Sequence, residues 1–217
     1  MAYRRTERVT ARLAARHEAI IGAARALASE SGLTAVQIVP VAERAGIAAG
    51  TVYRYFPSKD DLVAALVSAT AEREIAVIRR AAAAAPGPLS GLAAAIMAFA
   101  TGTLQTRRLA WAMLAEAGNA DAERLAFLRR LGSEFEGLIR AAIAAGHLPD
   151  QVPAAAAAAI IGATLESLVG PLAPNPAGVD TEQAAAQTLT LFALRALGIV
   201  DARARGLVVS GISGQSR

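Results

Sequence analysis

The sequence predicts an all-α protein: a small three-helix unit at the N-terminus, then a larger helical domain, about nine helices in total. Three observations predict it. Hydrophobic residues make up 54% of the chain but much of that is alanine, the best helix former and a poor strand residue. Aromatics are only 4%, so helices must pack closely around small side chains. Apolar residues recur at steps of three and four, with Gly and Pro between the recurrences.

The first helix is expected from Thr10 to Ser31, where Ile20, Ile21, Ala24, Leu27 and Ala28 fall on one side and Gly32 stops it. A short helix follows from Ile38 to Ala45. Pro40 is tolerated there because first-turn N–H groups have no intrahelical partner. Gly46-Ile47-Ala48 form a turn, and Ala49 to Tyr55 make a third short helix, broken by Pro57-Ser58. Ser58 reads as an N-cap, with Asp60 and Asp61 favoured in the first turn by the helix dipole. The fourth helix continues through Leu62, Ala65, Leu66 and Ala69 to about Ala85.

Further helices are expected at 89–105, 107–117, 121–145, 153–169 and 181–198. Leu128, Leu131, Phe135, Leu138 and Ala142 make 121–145 the clearest of them. Gly146, Pro149 and Pro153 mark its end. The alanine run 154–159 suggests a face where another helix packs closely. From Ile199 the Gly, Ser and Arg content predicts a loose tail. The domains are therefore expected at 10–66 and 67–198, with a flexible tail at 199–217.

Composition also narrows the function. There is no cysteine, so disulfides, thiolate metal sites and cysteine nucleophiles are excluded. The two histidines, His17 and His147, lie far apart, without a metal-spaced cluster or a glycine-rich phosphate loop. No enzymatic activity, cofactor or metal is expected. Residues 81–106 carry no charge, but Pro86, Gly87 and Pro88 leave about sixteen residues from Leu89, Thr101, Gly102 and Thr103 among them, short of the roughly 20 apolar residues a membrane span needs. Without a signal peptide either, the expected location is cytoplasmic, with no membrane partner. Arg4, Arg5, Arg8, Arg12 and Arg16 face only Glu7 in the first sixteen residues. That asymmetry fits an arm reaching for a polyanion, or a solvated tail.

Between Gly32 and Leu66 two short helices meet at a tight glycine turn. The second would stand proud of the surface and fit a major groove about 12 Å wide, which is helix-turn-helix geometry. Thr51, Tyr53 and Tyr55 offer hydroxyls to phosphate oxygens, and Lys59 with the start of the fourth helix offers an anion site.

These residues carry a resemblance. Ala45-Gly46-Ile47, Gly50-Thr51-Val52-Tyr53-Arg54-Tyr55-Phe56, Lys59 and Leu62 are similar, in type and spacing, to the hallmark of the TetR family of repressors. The resemblance covers about the first 66 residues. It implies a three-helix DNA-binding domain joined by helix four to a helical ligand-binding and dimerisation domain. It further implies that Thr51, Tyr53, Tyr55 and Lys59 contact phosphates while Ala48, Ala49 and Gly50 face base edges. The chain departs from the family pattern with Val39 near the start of the second helix and Gln37 in place of a Thr or Ser cap. Direct readout is therefore thin, and specificity is expected to lean on Arg44, Arg54, thymine methyl contacts with Ala48 and Ala49, and DNA shape.

The implied partners are double-stranded operator DNA, a second copy of the chain and a small apolar or amphipathic effector. Ile160, Ile161, Thr164 and Leu168, with Leu189, Phe192 and Ala196, are expected at a homodimer interface, because two recognition helices must meet major grooves about 34–36 Å apart. Phe99, Leu104, Trp111, Met113, Glu116, Phe127 and Glu166 are expected to line the effector pocket. The competing reading is a helical ligand-binding module without operator-specific DNA binding.

Overall fold

The computed structural model describes residues 2–107, 110, 121–169 and 179–215. Those residues form nine α-helices and one short 3-10 turn. The helices are α1 (Ala2–Ser31), α2 (Ile38–Arg44), α3 (Ala49–Tyr53), α4 (Lys59–Ala84), α5 (Pro88–Gln105), α6 (Asp121–Ala144), α7 (Pro153–Val169), α8 (Val179–Ala196) and α9 (Asp201–Gln215). All of the expected helix 107–117 but residues 107 and 110 lies outside the described residues, as do Trp111, Met113 and Glu116. The chain divides into two compact units, residues 1–70 with 108–124, and residues 71–107 with 125–217.

The first unit is built on α1, α2, α3 and the start of α4. Ile20, Ile21, Ala24 and Ala28 from α1 meet Val36, Val41, Val52, Phe56, Leu62 and Leu66 in one buried cluster. Each helix supplies one apolar stripe, its remaining sides being polar or exposed. Gly32 ends α1, and its N–H donates to the Ala28 carbonyl at 2.8 Å.

In the second unit α5 is the central helix. Leu92, Ala93, Ala95, Ile96, Met97, Phe99 and Ala100 are all buried, and α7, α8 and α9 pack against α5. That explains the uncharged sequence there: a helix apolar all round is a core helix. Pro88 occupies the first turn, and the Ser90 hydroxyl accepts from the Gly87 N–H at 3.1 Å. Gly91 lets α5 approach α4, since a Cβ there would stand 3.1 Å from the Ala82 carbonyl oxygen. The Phe99 and Phe135 rings meet at 5.8 Å, tying α5 to α6. Two charge pairs join α4 to α6: Arg130 holds both oxygens of Glu72, one at 2.9 Å, and Arg79 holds Glu134. The Arg130 hydrogen bonds keep the Glu72 carboxyl below the usual carboxylate range.

Two expectations are corrected. The chain beyond Ile199 is a helix rather than a loose tail over Asp201–Gln215, with Ala204 and Val208 buried. Asp201 in its first turn accepts from Arg195 Nε at 2.7 Å and Arg205 Nε at 2.8 Å. Composition misleads there because two apolar contacts and one capped carboxylate suffice to seat a short helix. At the other end α1 begins at Ala2 instead of Thr10, since alanine and arginine are strong helix formers and no Gly or Pro interrupts them.

Candidate nucleic-acid interface

The site begins with the turn between α2 and α3. Gly46 sits at φ 64°, a left-handed conformation that side chains resist, and its N–H donates to Glu43 while the Ile47 N–H donates to Ala42 at 3.0 Å. Those two bonds close α2 and redirect the chain. Ala48 then caps α3 in an extended conformation, without a side-chain hydrogen bond.

Val52 and Phe56 anchor α3 from beneath. Both are buried, and the Phe56 N–H reaches back to the Val52 carbonyl at 2.9 Å. What remains outward is Ala48, Gly50, Tyr53 and Arg54, all exposed, with Thr51, Tyr55 and Lys59 half-buried. Among the described residues, the hydroxyls of Thr51, Tyr53 and Tyr55 and the cations of Arg54 and Lys59 enter no hydrogen bond or ion pair. Five polar groups thus surround a surface of small residues, each still carrying its full bonding capacity.

Gly50 adds a second sign. A Cβ built there meets nothing within 4 Å, so nothing inside the protein requires glycine at that position. Glycine in a helix costs roughly 0.5–1 kcal/mol relative to alanine. A close approach of backbone to a partner is one reason for glycine at such a position.

The start of α4 is capped from within. Ser58 Oγ accepts from the Asp61 N–H at 3.1 Å, and Asp61 Oδ2 accepts from the Ser58 N–H at 3.1 Å and from Ser58 Oγ at 2.6 Å. The predicted N-cap is therefore present. Asp61 nevertheless occupies part of the dipole end that the sequence reading offered to a phosphate, which leaves Lys59 as the principal cation there.

Arg44 differs from expectation. Its guanidinium grips the Glu30 carboxylate with both nitrogens, one at 2.6 Å, and ties α2 to the end of α1. Hydrogen bonding to that arginine lowers the Glu30 pKa. A base or phosphate contact by Arg44 would have to compete with this exposed ion pair.

Sequence reading missed His17. Its ring lies 5.1 Å from Phe56 and 6.5 Å from Tyr55, so it props the turn between α3 and α4 against α1. The only signal was its place on the predicted first helix, three residues before Ile20.

In the second unit Phe99 and Leu104 are buried core, Phe127 is half-buried and Glu166 is exposed. None of them lines the open groove of about 460 Å³ between α6 and α7, whose walls are Leu128, Gly132, Ala154, Ala158, Ile161 and Leu165, with Arg129, Ser133 and Glu136 at its polar margin. The expected dimer residues divide. Ile160, Ile161 and Thr164 are buried inside the protomer, Leu189 is half-buried, and Phe192 and Ala196 are exposed. The outward side of α7 is instead Ala155, Ala159, Gly162 and Ala163. The larger residues of α7 were claimed by its own chain. The side chain of Leu168 lies outside the described residues.

The profile of the bacterial regulatory proteins of the tetR family matches residues 20–66, the stretch that forms this interface. Over that stretch the chain is similar to TetR-family regulators. It is 46% identical over 77 residues to the HTH-type transcriptional repressor KstR of Mycolicibacterium smegmatis, a match spanning 36% of this chain and 38% of the repressor. The chain thus covers little more than a third of that curated relative. Among solved structures, the fatty acid degradation regulator FadR of Bacillus halodurans superposes with a TM-score of 0.71 over 82% of this chain and 94% of its own, at 20% identity. FadR of Bacillus subtilis in complex with stearoyl-CoA does so at 0.68 over 81% and 96%, also at 20% identity. At that identity the structural likeness concerns the fold alone.

Proposed function

We propose that this chain is a TetR-family transcriptional repressor that binds operator DNA and leaves it when a small apolar or amphipathic ligand binds. The observation that carries the reading is the set of unsatisfied, outward donors at Thr51, Tyr53, Tyr55, Arg54 and Lys59 around Ala48 and Gly50. Hydroxyls and cations at the margins suit phosphates. Small side chains between them suit the edges of bases, where methyl and backbone approach decide the fit.

The ligand half of the proposal draws on the stearoyl-CoA complex of the B. subtilis neighbour and on the largely apolar groove between α6 and α7. A homodimer belongs to the same reading. Its interface runs over the alanine and glycine side of α7 together with Phe192 and Ala196 of α8, where a large exposed ring can enter a surface of small residues. No enzymatic reaction is proposed, since His17 packs on Phe56 and His147 faces Arg203 at 3.3 Å. The proposed location is the cytoplasm.

The decisive experiment is recovery and sequencing of genomic fragments retained by the protein, followed by titration of the enriched duplex with wild type and Lys59→Ala. The substitution is expected to weaken every duplex alike, by roughly 1 kcal/mol for one charge-assisted contact. No binding to any duplex, even at low ionic strength, would leave only the helical ligand-binding module.

A further inference from the structure

We propose that the N-terminal half of α1 is a rigid basic arm that lies along the DNA phosphate backbone outside the helix-turn-helix footprint. The proposal rests on the DNA-binding reading above and extends it to a second, separate contact surface.

Where its side chains are described, the arm takes no part in the core: every residue from Val9 to Ala15 is exposed, and Ile20 is the first buried one among the described side chains of α1. The helix nevertheless runs unbroken from Ala2. A structure that projects without a core to cover is maintained for what it meets outside.

Charge says what it meets. Residues 1–16 hold five arginines against one glutamate, an excess of four that equals the formal net charge of the entire chain. The rest of the protein is neutral in sum, so the basic balance is concentrated on this segment. Arg5, Arg8, Arg12 and Arg16 follow one another at steps of three, four and four, which places these positions along one side of α1. Arg12 is exposed, and among the described residues neither Arg12 nor Arg16 enters an ion pair. Like charges one turn apart oppose the helix that carries them. A row of phosphates would turn that repulsion into attraction, and a neutral or basic partner would not.

Position says where. His17, at the root of the arm, packs against Tyr55 and Phe56, so α1 leaves the core beside the turn that carries the phosphate-contacting tyrosine. From Arg5 to Arg16 the helix rises about 17 Å, a reach comparable to about five base pairs. The arm therefore starts at the margin of the recognition surface and is long enough to follow several phosphates beyond it. Such contacts position the protein without reading sequence.

The test measures binding of the full chain to a fluorescein-labelled duplex of random sequence as NaCl rises from about 50 to about 200 mM. Each neutralised phosphate adds about 0.9 to the slope of log K against log salt, so the Arg5→Gln, Arg8→Gln, Arg12→Gln triple variant should lose roughly 2.7 from it. The matching triple Arg→Lys variant should retain the wild-type slope, because counterion release depends on charge. Melting temperature and far-ultraviolet circular dichroism of both variants are measured alongside and should match wild type, as expected for an exposed position such as Arg12. A glutamine variant with the wild-type slope, tested where Lys59→Ala does weaken binding, overturns the arm and leaves the helix-turn-helix reading intact. A wild-type chain that fails to bind this duplex overturns both. An altered sedimentation coefficient with an unaltered slope assigns the arm to protein contacts and likewise overturns the proposal.

Discussion

Gly50 offers a test in which stability and function move in opposite directions. Replacing it by alanine adds one methyl group where nothing lies within 4 Å, at a residue without a positive φ. The free protein should gain, because alanine restricts the unfolded chain more and favours α3; the gain is about 0.5–1 kcal/mol. For a chain of this size that raises the melting temperature by roughly 1–4 °C. The complex should lose. A methyl inserted into a fitted contact costs typically 1–3 kcal/mol, about a 5- to 150-fold drop in affinity. Thermal unfolding and fluorescence anisotropy on the same preparation of Gly50→Ala give both numbers. A variant that is more stable and binds DNA as tightly as wild type would refute the argument that the glycine serves a partner. A less stable variant would refute the reading of open space around it.

Other outcomes follow from the second unit. Phe135 is fully buried against Phe99, so Phe135→Ala should destabilise the protein by about 3–5 kcal/mol in denaturant titration, with a refolded remainder that still binds DNA. Asp201 is held below its ordinary pKa by hydrogen bonds from Arg205 and then Arg195. A depressed carboxylate contributes stability that is present above its unfolded pKa of about 3.9 and is lost as pH falls through the lower folded value. Amide protection factors over residues 201–209, taken against the intrinsic exchange rate at each pH, should therefore be higher at neutral pH than in acid, whereas Asp201→Asn should lower them at neutral pH and remove that pH dependence. Phe192→Glu should convert the proposed dimer to monomer in analytical ultracentrifugation without lowering the melting temperature of the protomer, since this residue is 60% exposed.

Much of the interface was legible along the chain because its signals are local. Gly46 needs a left-handed φ, Ser58 and Asp61 cap α4 three residues apart, and Val52 and Phe56 sit one turn apart on the buried side. Each of these is decided by neighbours within one or two turns, so spacing alone suffices to place them. The helices α5, α6, α7 and α8 were legible for the same reason, as runs of apolar residues at steps of three and four.

What spacing cannot decide is which partner takes an apolar or charged side. Ile160 and Ile161 mark an apolar stripe in the sequence, yet only the packing of α7 against α5 gave that stripe to the protomer's own core and left Ala155, Ala159 and Gly162 outside. Arg44 reads as a free cation until Glu30, fourteen residues earlier, is brought beside it. His17 becomes a prop only when Phe56 arrives from another helix. The sequence by itself determined the helices α2 to α8, their order and the recognition motif, because backbone hydrogen bonds and caps are settled within a few residues, while the start of α1 and the whole of α9 escaped it. The tertiary structure alone decided which side chains were consumed inside the protein and which remained outward, because burial is settled by residues distant along the chain.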